Sequence, residues 1–341
     1  MKKLIITSMI LALAACSPPL VEGTSTVHFS IGKGMTGKST GISEEDEKEI
    51  SHWAVMLFNA AESSEKFCES VSGGADISFT IRSGARYRAY AIANYPLYGE
   101  YAIDPEQITD EQTLKRSVIS LADYTPTSLP MFGETEITAL RGEVSSTVSL
   151  TRLVSKIVVK KITADIREER FRSLPFYLKA MYLTNVWCRN SLAEDLPAEE
   201  APELWYNAMG WHGSGSNVAL DAMVADKTIN AQISPGGSYV TRHCFYTMPD
   251  DVTTGRDTRN ATWSSRCTRL VIEAAVGSKT YYYPVTLPDM KRGAAYVIEE
   301  VTIRNVGSLS PEEEIPGAVD VNITVSVPGA WDETYNISEN S

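Results

Sequence analysis

The chain has 341 residues, with 31 Lys and Arg against 43 Asp and Glu, a formal net charge of −12. That balance argues against a nucleic-acid binder, whose phosphate partner needs a basic footprint, and against attachment of the whole chain to anionic lipid by charge alone. It fits a solvated, self-repelling exterior, and the length is enough for two ordinary domains with real cores.

Lys2 and Lys3 precede an apolar run from Leu4 to Ala12, which has the length of a secretory h-region and is too short to span a bilayer. Leu13-Ala14-Ala15-Cys16 follows and resembles the lipobox of bacterial lipoproteins. The resemblance implies a signal peptide over residues 1–15, a diacylglyceryl group on the Cys16 thiol and a chain anchored to a membrane by lipid. The plainer alternative is an ordinary signal peptide that ends beside an incidental cysteine. Residues 16–23 read as a short tether.

Val27, Phe29 and Ile31 alternate with His28, Ser30 and Gly32, the period of a half-buried strand over Thr24 to Ile31. Residues 32–48 are rich in glycine and acidic residues and predict a long exposed loop, open to proteolysis. Trp53 to Phe58 is apolar on both faces and predicts a central strand. Ile77, Phe79 and Ile81 alternate, as do Tyr87, Ala89, Ala91 and Ala93. A helix is predicted over Thr109 to Leu121, with acidic residues in its first turn and basic ones later. Val144, Val148 and Leu150 open another strand. The β-branched density then peaks between Leu150 and Ile162, and a domain junction is expected just before it. Phe176 to Trp187 is a strand. Residues 190–237 read as a long insertion, mostly loop, with a turn or two of helix near Ala198 to Ala208. Strands follow at Cys244 to Met248, Arg269 to Val276, Tyr281 to Leu287 and Tyr296 to Ile303, with a hairpin at Gly277-Ser278. Val319, Val321, Ile323, Val325 and Val327 alternate before a polar tail that includes Trp331. Short alternating strands with little helix indicate an all-β fold of two tandem sandwiches, divided as residues 24–149 and 150–341.

The inventory for catalysis is thin. The four histidines, His28, His52, His212 and His243, form neither HExxH nor any pair at metal spacing, and no cofactor motif is present. The Gly-rich stretch around His212 is neither GxGxxG nor GxSxG. Glu199-Glu200 and Glu312-Glu313-Glu314 lie beside prolines and read as solvated charge rather than a glycosidase dyad. Beyond Cys16 the cysteines are Cys68, Cys188, Cys244 and Cys267, with no CxxC. They read as buried thiols acting as small apolar residues, their disulfide state left open. Trp205, Tyr206 and Trp211 are an aromatic cluster with two readings: rings that pin the insertion to a sandwich, or a platform for a surface glycan.

Several segments, in order, resemble the fimbrillins, the FimA-like type V pilus subunits of Gram-negative anaerobes of the gut and mouth. They are Trp53 to Asn59, Tyr90 to Asn94, Pro130-Met131-Phe132-Gly133, Leu150 to Ile157, Tyr246 to Asp250, Tyr281 to Val285, Tyr296 to Gly307, and the alternating strand that ends near Trp331. The resemblance implies two transthyretin-like β-sandwiches with Greek-key-like topology, export as a lipoprotein to the outer membrane, and a structural rather than enzymatic role in a surface fimbrium supporting cell adhesion. It implies other pilus subunits as partners, the membrane through lipid on Cys16, and a host or bacterial surface ligand as a further partner class. In that family the first strand is cut away and a neighbour's C-terminal strand replaces it by strand addition. Here the removable residues would be Val27, Phe29 and Ile31, and the donor would be segment 331–341 with Trp331, Tyr335 and Ile337.

Two departures matter. The family cut follows an arginine, but this chain has no arginine before Arg82, so Lys33 and Lys38 are the candidate processing residues ahead of the acidic run. The tail from Asp332 to Ser341 is polar and offers few apolar fillers. Both departures leave open a lipid-retaining anchor or accessory subunit instead of a polymerising one.

Overall fold

The computed structural model describes residues 23–30, 49–62, 65–73, 75–146, 148–193, 205–206, 222–250, 267–325 and 335–337. Cys16, Ile31, Lys33, Lys38, Trp211, His212 and Trp331 lie outside these residues, as does most of the helix expected near Ala198 to Ala208. The fold is mainly β, in several largely antiparallel sheets with only short helices.

The first half holds β1 (Thr24–Phe29), β2 (His52–Asn59), β3 (Lys66–Ser72), β4 (Ile77–Arg82), β5 (Arg86–Ala93), α1 (Glu111–Lys115), β6 (Val118–Ser120), β7 (Met131–Thr138), β8 (Gly142–Ser145) and β9 (Val148–Arg152). One sheet has the order β4-β1-β8; the facing one runs β9-β7-β5-β2-β3. β2 is buried along nearly its whole length, and its two faces serve two cores. Trp53, Val55 and Leu57 join Val27, Phe29, Ile77, Phe79 and Ile81 between the sheets. Ala54, Met56 and Phe58 face the other way, under the segment carrying Tyr95, Ile103, Leu114 and Leu121. That second core continues without a break into the second half.

The second half begins at β10 (Ser155–Ala164). It continues with β11 (Phe176–Thr184), β12 (Val186–Trp187), β13 (Arg189–Ser191), β14 (Trp205–Tyr206), β15 (Ala225–Asp226) and β16 (Ala231–Ile233). β17 (Ser238–Thr247), β18 (Arg269–Val276), β19 (Lys279–Thr286), β20 (Ala295–Ile303) and β21 (Val319–Val325) complete it. Its sheets are β17-β10-β20-β21 and β15-β11-β18-β19, with β16 also on β11. The hairpin at Gly277 has the expected form, with Val276 opposite Lys279 and φ of 63° at the glycine, a left-handed conformation that favours glycine. A last strand, β22 (Tyr335–Ile337), returns to pair with β9.

Three expectations change. The helix over 109–121 is a single stretch, Glu111–Lys115, capped by the Asp110 carboxylate, which accepts from the Thr113 N–H at 2.8 Å. It stops because Val118–Ser120 is drawn into a ladder with β13. The β-rich run from Leu150 to Ile162 is two strands on different sheets, and position 150 lies within β9. Among the described residues of 190–237 are four short strands, in whole or in part, so the described ends of the insertion are woven into the sheets.

The β6–β13 ladder ties the halves by backbone, flanked by bonds from Leu121 N–H to Cys188 O (2.7 Å), Leu192 N–H to Ser117 O (3.0 Å) and Ala193 N–H to Lys115 O (3.1 Å). Within the second half, Arg292 donates to the Leu192 and Ser191 carbonyls at 2.8 and 3.1 Å and so braces the β13 side of this ladder. Where β9 leaves β7, the backbones approach so closely that a Cβ on Gly133 would lie 2.2 Å from the Ser149 carbonyl oxygen. Neither backbone can retreat without breaking its ladder. Gly133→Ala is therefore expected to lower stability by about 1–3 kcal/mol, the usual range for overpacking. A urea midpoint unchanged from that of the parent chain would show that β9 can move away.

Candidate strand-exchange site

β1 lies in the middle of its sheet. It pairs antiparallel with β4, from Thr24 opposite Arg82 to Phe29 opposite Ile77, and parallel with β8, with Val27 opposite Val144. Its burial alternates as the sequence period requires, with Ser25, Val27 and Phe29 inward and Thr26 and His28 half-buried. Val27 and Phe29 are both 0% exposed. Phe29 meets Phe79 edge to face at 6.0 Å, and Phe79 meets Phe67 at 6.5 Å, so an aromatic row crosses from one sheet to the other. On the polar side His28 Nδ1 lies 2.7 Å from Ser78 Oγ, a surface contact. At the start of the strand the Ser25 hydroxyl donates to the Leu140 carbonyl and lies 2.6 Å from Ser83 Oγ.

Burying Val27 and Phe29 is worth about 1.5–3 kcal/mol each. Loss of β1 would uncover that surface and leave two facing strand edges, β4 and β8, about 9.6 Å apart, twice the normal strand spacing. A gap of that width takes one extended chain with apolar residues at every second position. Of the residues read as removable, Val27 and Phe29 fill this slot; Ile31 lies outside the described residues.

The candidate donor residues Tyr335 and Ile337 lie elsewhere. They sit in β22, opposite Leu150 and Val148 of β9, on the sheet that faces β1 rather than in the β1 slot. Sequence reasoning had no signal for this pairing. Trp205 and Tyr206 form β14, an antiparallel pair with Val186 and the fully buried Trp187, which is how a strand pins an insertion.

The one Tyr–His–Asp arrangement among the described residues is Tyr239, His243 and Asp226. His243 Nδ1 is 3.0 Å from Asp226 Oδ2, and Nε2 is 3.2 Å from the Tyr239 hydroxyl. Asp226 also accepts from the Thr228 backbone and hydroxyl, both at 2.9 Å. The group joins β17 to β15. None of the four cysteines is in a disulfide, and burial pushes the thiols of Cys68 and Cys188 up to about 11, far from reactive thiolates.

No family model matches the chain, and no curated protein matches its sequence. Solved structures do match. A protein named for cell adhesion from Bacteroides eggerthii superposes with a TM-score of 0.59 at 19% identity, covering 89% of this chain and 95% of its own. Another so named, from Parabacteroides distasonis, gives 0.60 at 13%, covering 90% and 99%. The fimbrilin FimA of Porphyromonas gingivalis gives 0.55 at 14%, covering 88% and 96%. At these identities the likeness is one of fold, and it extends over about nine-tenths of the chain: the molecule has the fold of a fimbrilin.

Burial holds the His243 imidazole below its ordinary value of 6.5, partly offset by the Asp226 carboxylate. The unfolded chain therefore binds the extra proton first. The stability that neutral His243 supplies is complete above pH 6.5 and declines as the pH falls below it. The denaturation midpoint should drop between pH 7 and pH 5, and His243→Gln should flatten that slope. An equal slope in the variant would assign the acid sensitivity to other groups.

Proposed function

We propose that this chain is a structural subunit of a cell-surface fimbria, built as two transthyretin-like β-sandwiches and exported as a lipoprotein held at the outer membrane through Cys16. Cleavage at Lys33 or Lys38 releases β1, and the C-terminal strand of a neighbouring subunit enters between β4 and β8. The observation that carries this reading is the position of β1: a short strand near the amino terminus, wedged between two strands, with Val27 and Phe29 in the core. Few placements would let a terminal strand be exchanged for another with both ladders restored. The fold likeness to a fimbrilin supports the same conclusion.

A second reading is a lipid-retaining anchor or accessory subunit. It is supported by the absence of any arginine before Arg82 and by the polar tail from Asp332 onward. The two differ in the amino terminus of the fibre-associated chain, which starts at Gly34 or Ser39 in a processed subunit and at acylated Cys16 in an anchor.

Chain trimmed after Lys38, mixed with intact chain, should form an SDS-resistant ladder, and deleting residues 331–341 should abolish it. If no ladder forms and the deletion has no effect on fibre incorporation, the polymerising role fails.

A further inference from the structure

Gly23, the first described residue, enters the fold at one end of β1. Its carbonyl accepts from the Ser83 N–H at 2.8 Å. Around it, Gly84 N–H donates to Ala139 O (2.6 Å), Ala139 N–H to Ala85 O (2.9 Å) and Ala60 N–H to Arg86 O (2.9 Å). These bonds draw three chain corners into a single rim. Leu140 stands out from it, 67% exposed. Arg82, Arg86 and Arg141 are exposed on the same rim. Among the described side chains, the carboxylates beside them are Glu62, paired with Arg82 at 2.7 Å, and Glu65, held by Asn59 and Tyr87. Three exposed guanidinium groups thus stand at this rim of a chain whose formal charge is −12.

The opposite end of the same sheets is different. β1 runs about 17 Å from Thr24 to Phe29 at the usual rise per residue. Ser30 and Glu49, the flanks of segment 31–48, both lie at that far end, where the Asn94 side chain donates to the Glu49 carbonyl at 2.8 Å. Tyr98, 85% exposed, follows the far end of β5.

Covalent geometry connects the rim to a membrane. From Cys16 to Gly23 the chain can reach at most about 25 Å, even fully extended. We infer that, when Cys16 is acylated, this rim rests on the lipid surface, with Leu140 at the interface and Arg86 and Arg141 facing headgroup phosphates. The inference rests on the lipoprotein reading above. The tether supplies a high effective concentration, so a contact too weak to recruit a free protein is enough to orient a bound one. The orientation turns the far end of β1, where segment 31–48 is attached, away from the bilayer and toward a soluble protease.

The test uses the full acylated chain in vesicles of phosphatidylethanolamine and phosphatidylglycerol, with a photoreactive benzoylphenylalanine in place of Leu140 or of Tyr98. Irradiation should attach lipid at position 140 several-fold more than at position 98, read by mass spectrometry. Arg86→Glu with Arg141→Glu should cut the yield at 140 several-fold while the protein still floats with the vesicles. Equal labelling of a floating chain at 140 and 98, or a yield at 140 indifferent to the two charge reversals, overturns the orientation alone. A chain that does not float and carries no acyl group on Cys16 removes the lipoprotein reading and this inference with it.

Discussion

The structure depends on a sheet that must be covered on both faces. β2 has no polar face to turn to water: Trp53, Val55 and Leu57 point into one core, and Ala54, Met56 and Phe58 into another. The sheet β4-β1-β8 covers the first face. The segment between β5 and β7, joined to the second half, covers the second. The two covers are independent. Stripping β1 from its slot exposes part of the first core but leaves the second packed, so the central strands keep an anchor while the slot stands open. This asymmetry makes β1, rather than β2 or β5, the strand whose removal would leave the central sheet most nearly intact.

Much of this was legible in the residues. β1, β4 and β5 were read from their period of two, and β2 from its unbroken apolar run, because these strands are long and their faces differ sharply in environment. β3 gave no signal, since its edge position leaves Lys66–Ser72 half-exposed on both faces. β6 and β13 to β16 are two or three residues long, too short for any period to show. The helix expected over 109–121 was cut short by the pairing of Val118–Ser120 with β13, a distant partner that local propensity cannot register. At the candidate site, Val27 and Phe29 were readable as fillers, but their two partner strands were not. The parallel pairing with β8 joins segments more than a hundred residues apart.

Two of the segments that carried the family resemblance now have physical reasons. Pro130-Met131-Phe132-Gly133 ends on the glycine that lets the Ser149 carbonyl pass close to β7. The segment from Tyr296 ends on Gly307, where a Cβ would lie 2.3 Å from the Tyr282 carbonyl oxygen, beside the bridge between Tyr282 and Ser308. In both, the backbone geometry excludes a side chain, whatever partner the protein has. The specificity of such motifs lies in chain crossings that hydropathy patterns do not report.

The backbone ladder between β6 and β13 has a mechanical meaning. Only Leu153 and Val154 separate β9 from β10, and a link that short could act as a hinge. It is bypassed by a second connection, in which the Leu121, Leu192 and Ala193 amides hold carbonyls across the junction. Bending at the link would require these backbone bonds to part. The two halves are therefore coupled by backbone hydrogen bonds distant from the linker as well as by the linker itself.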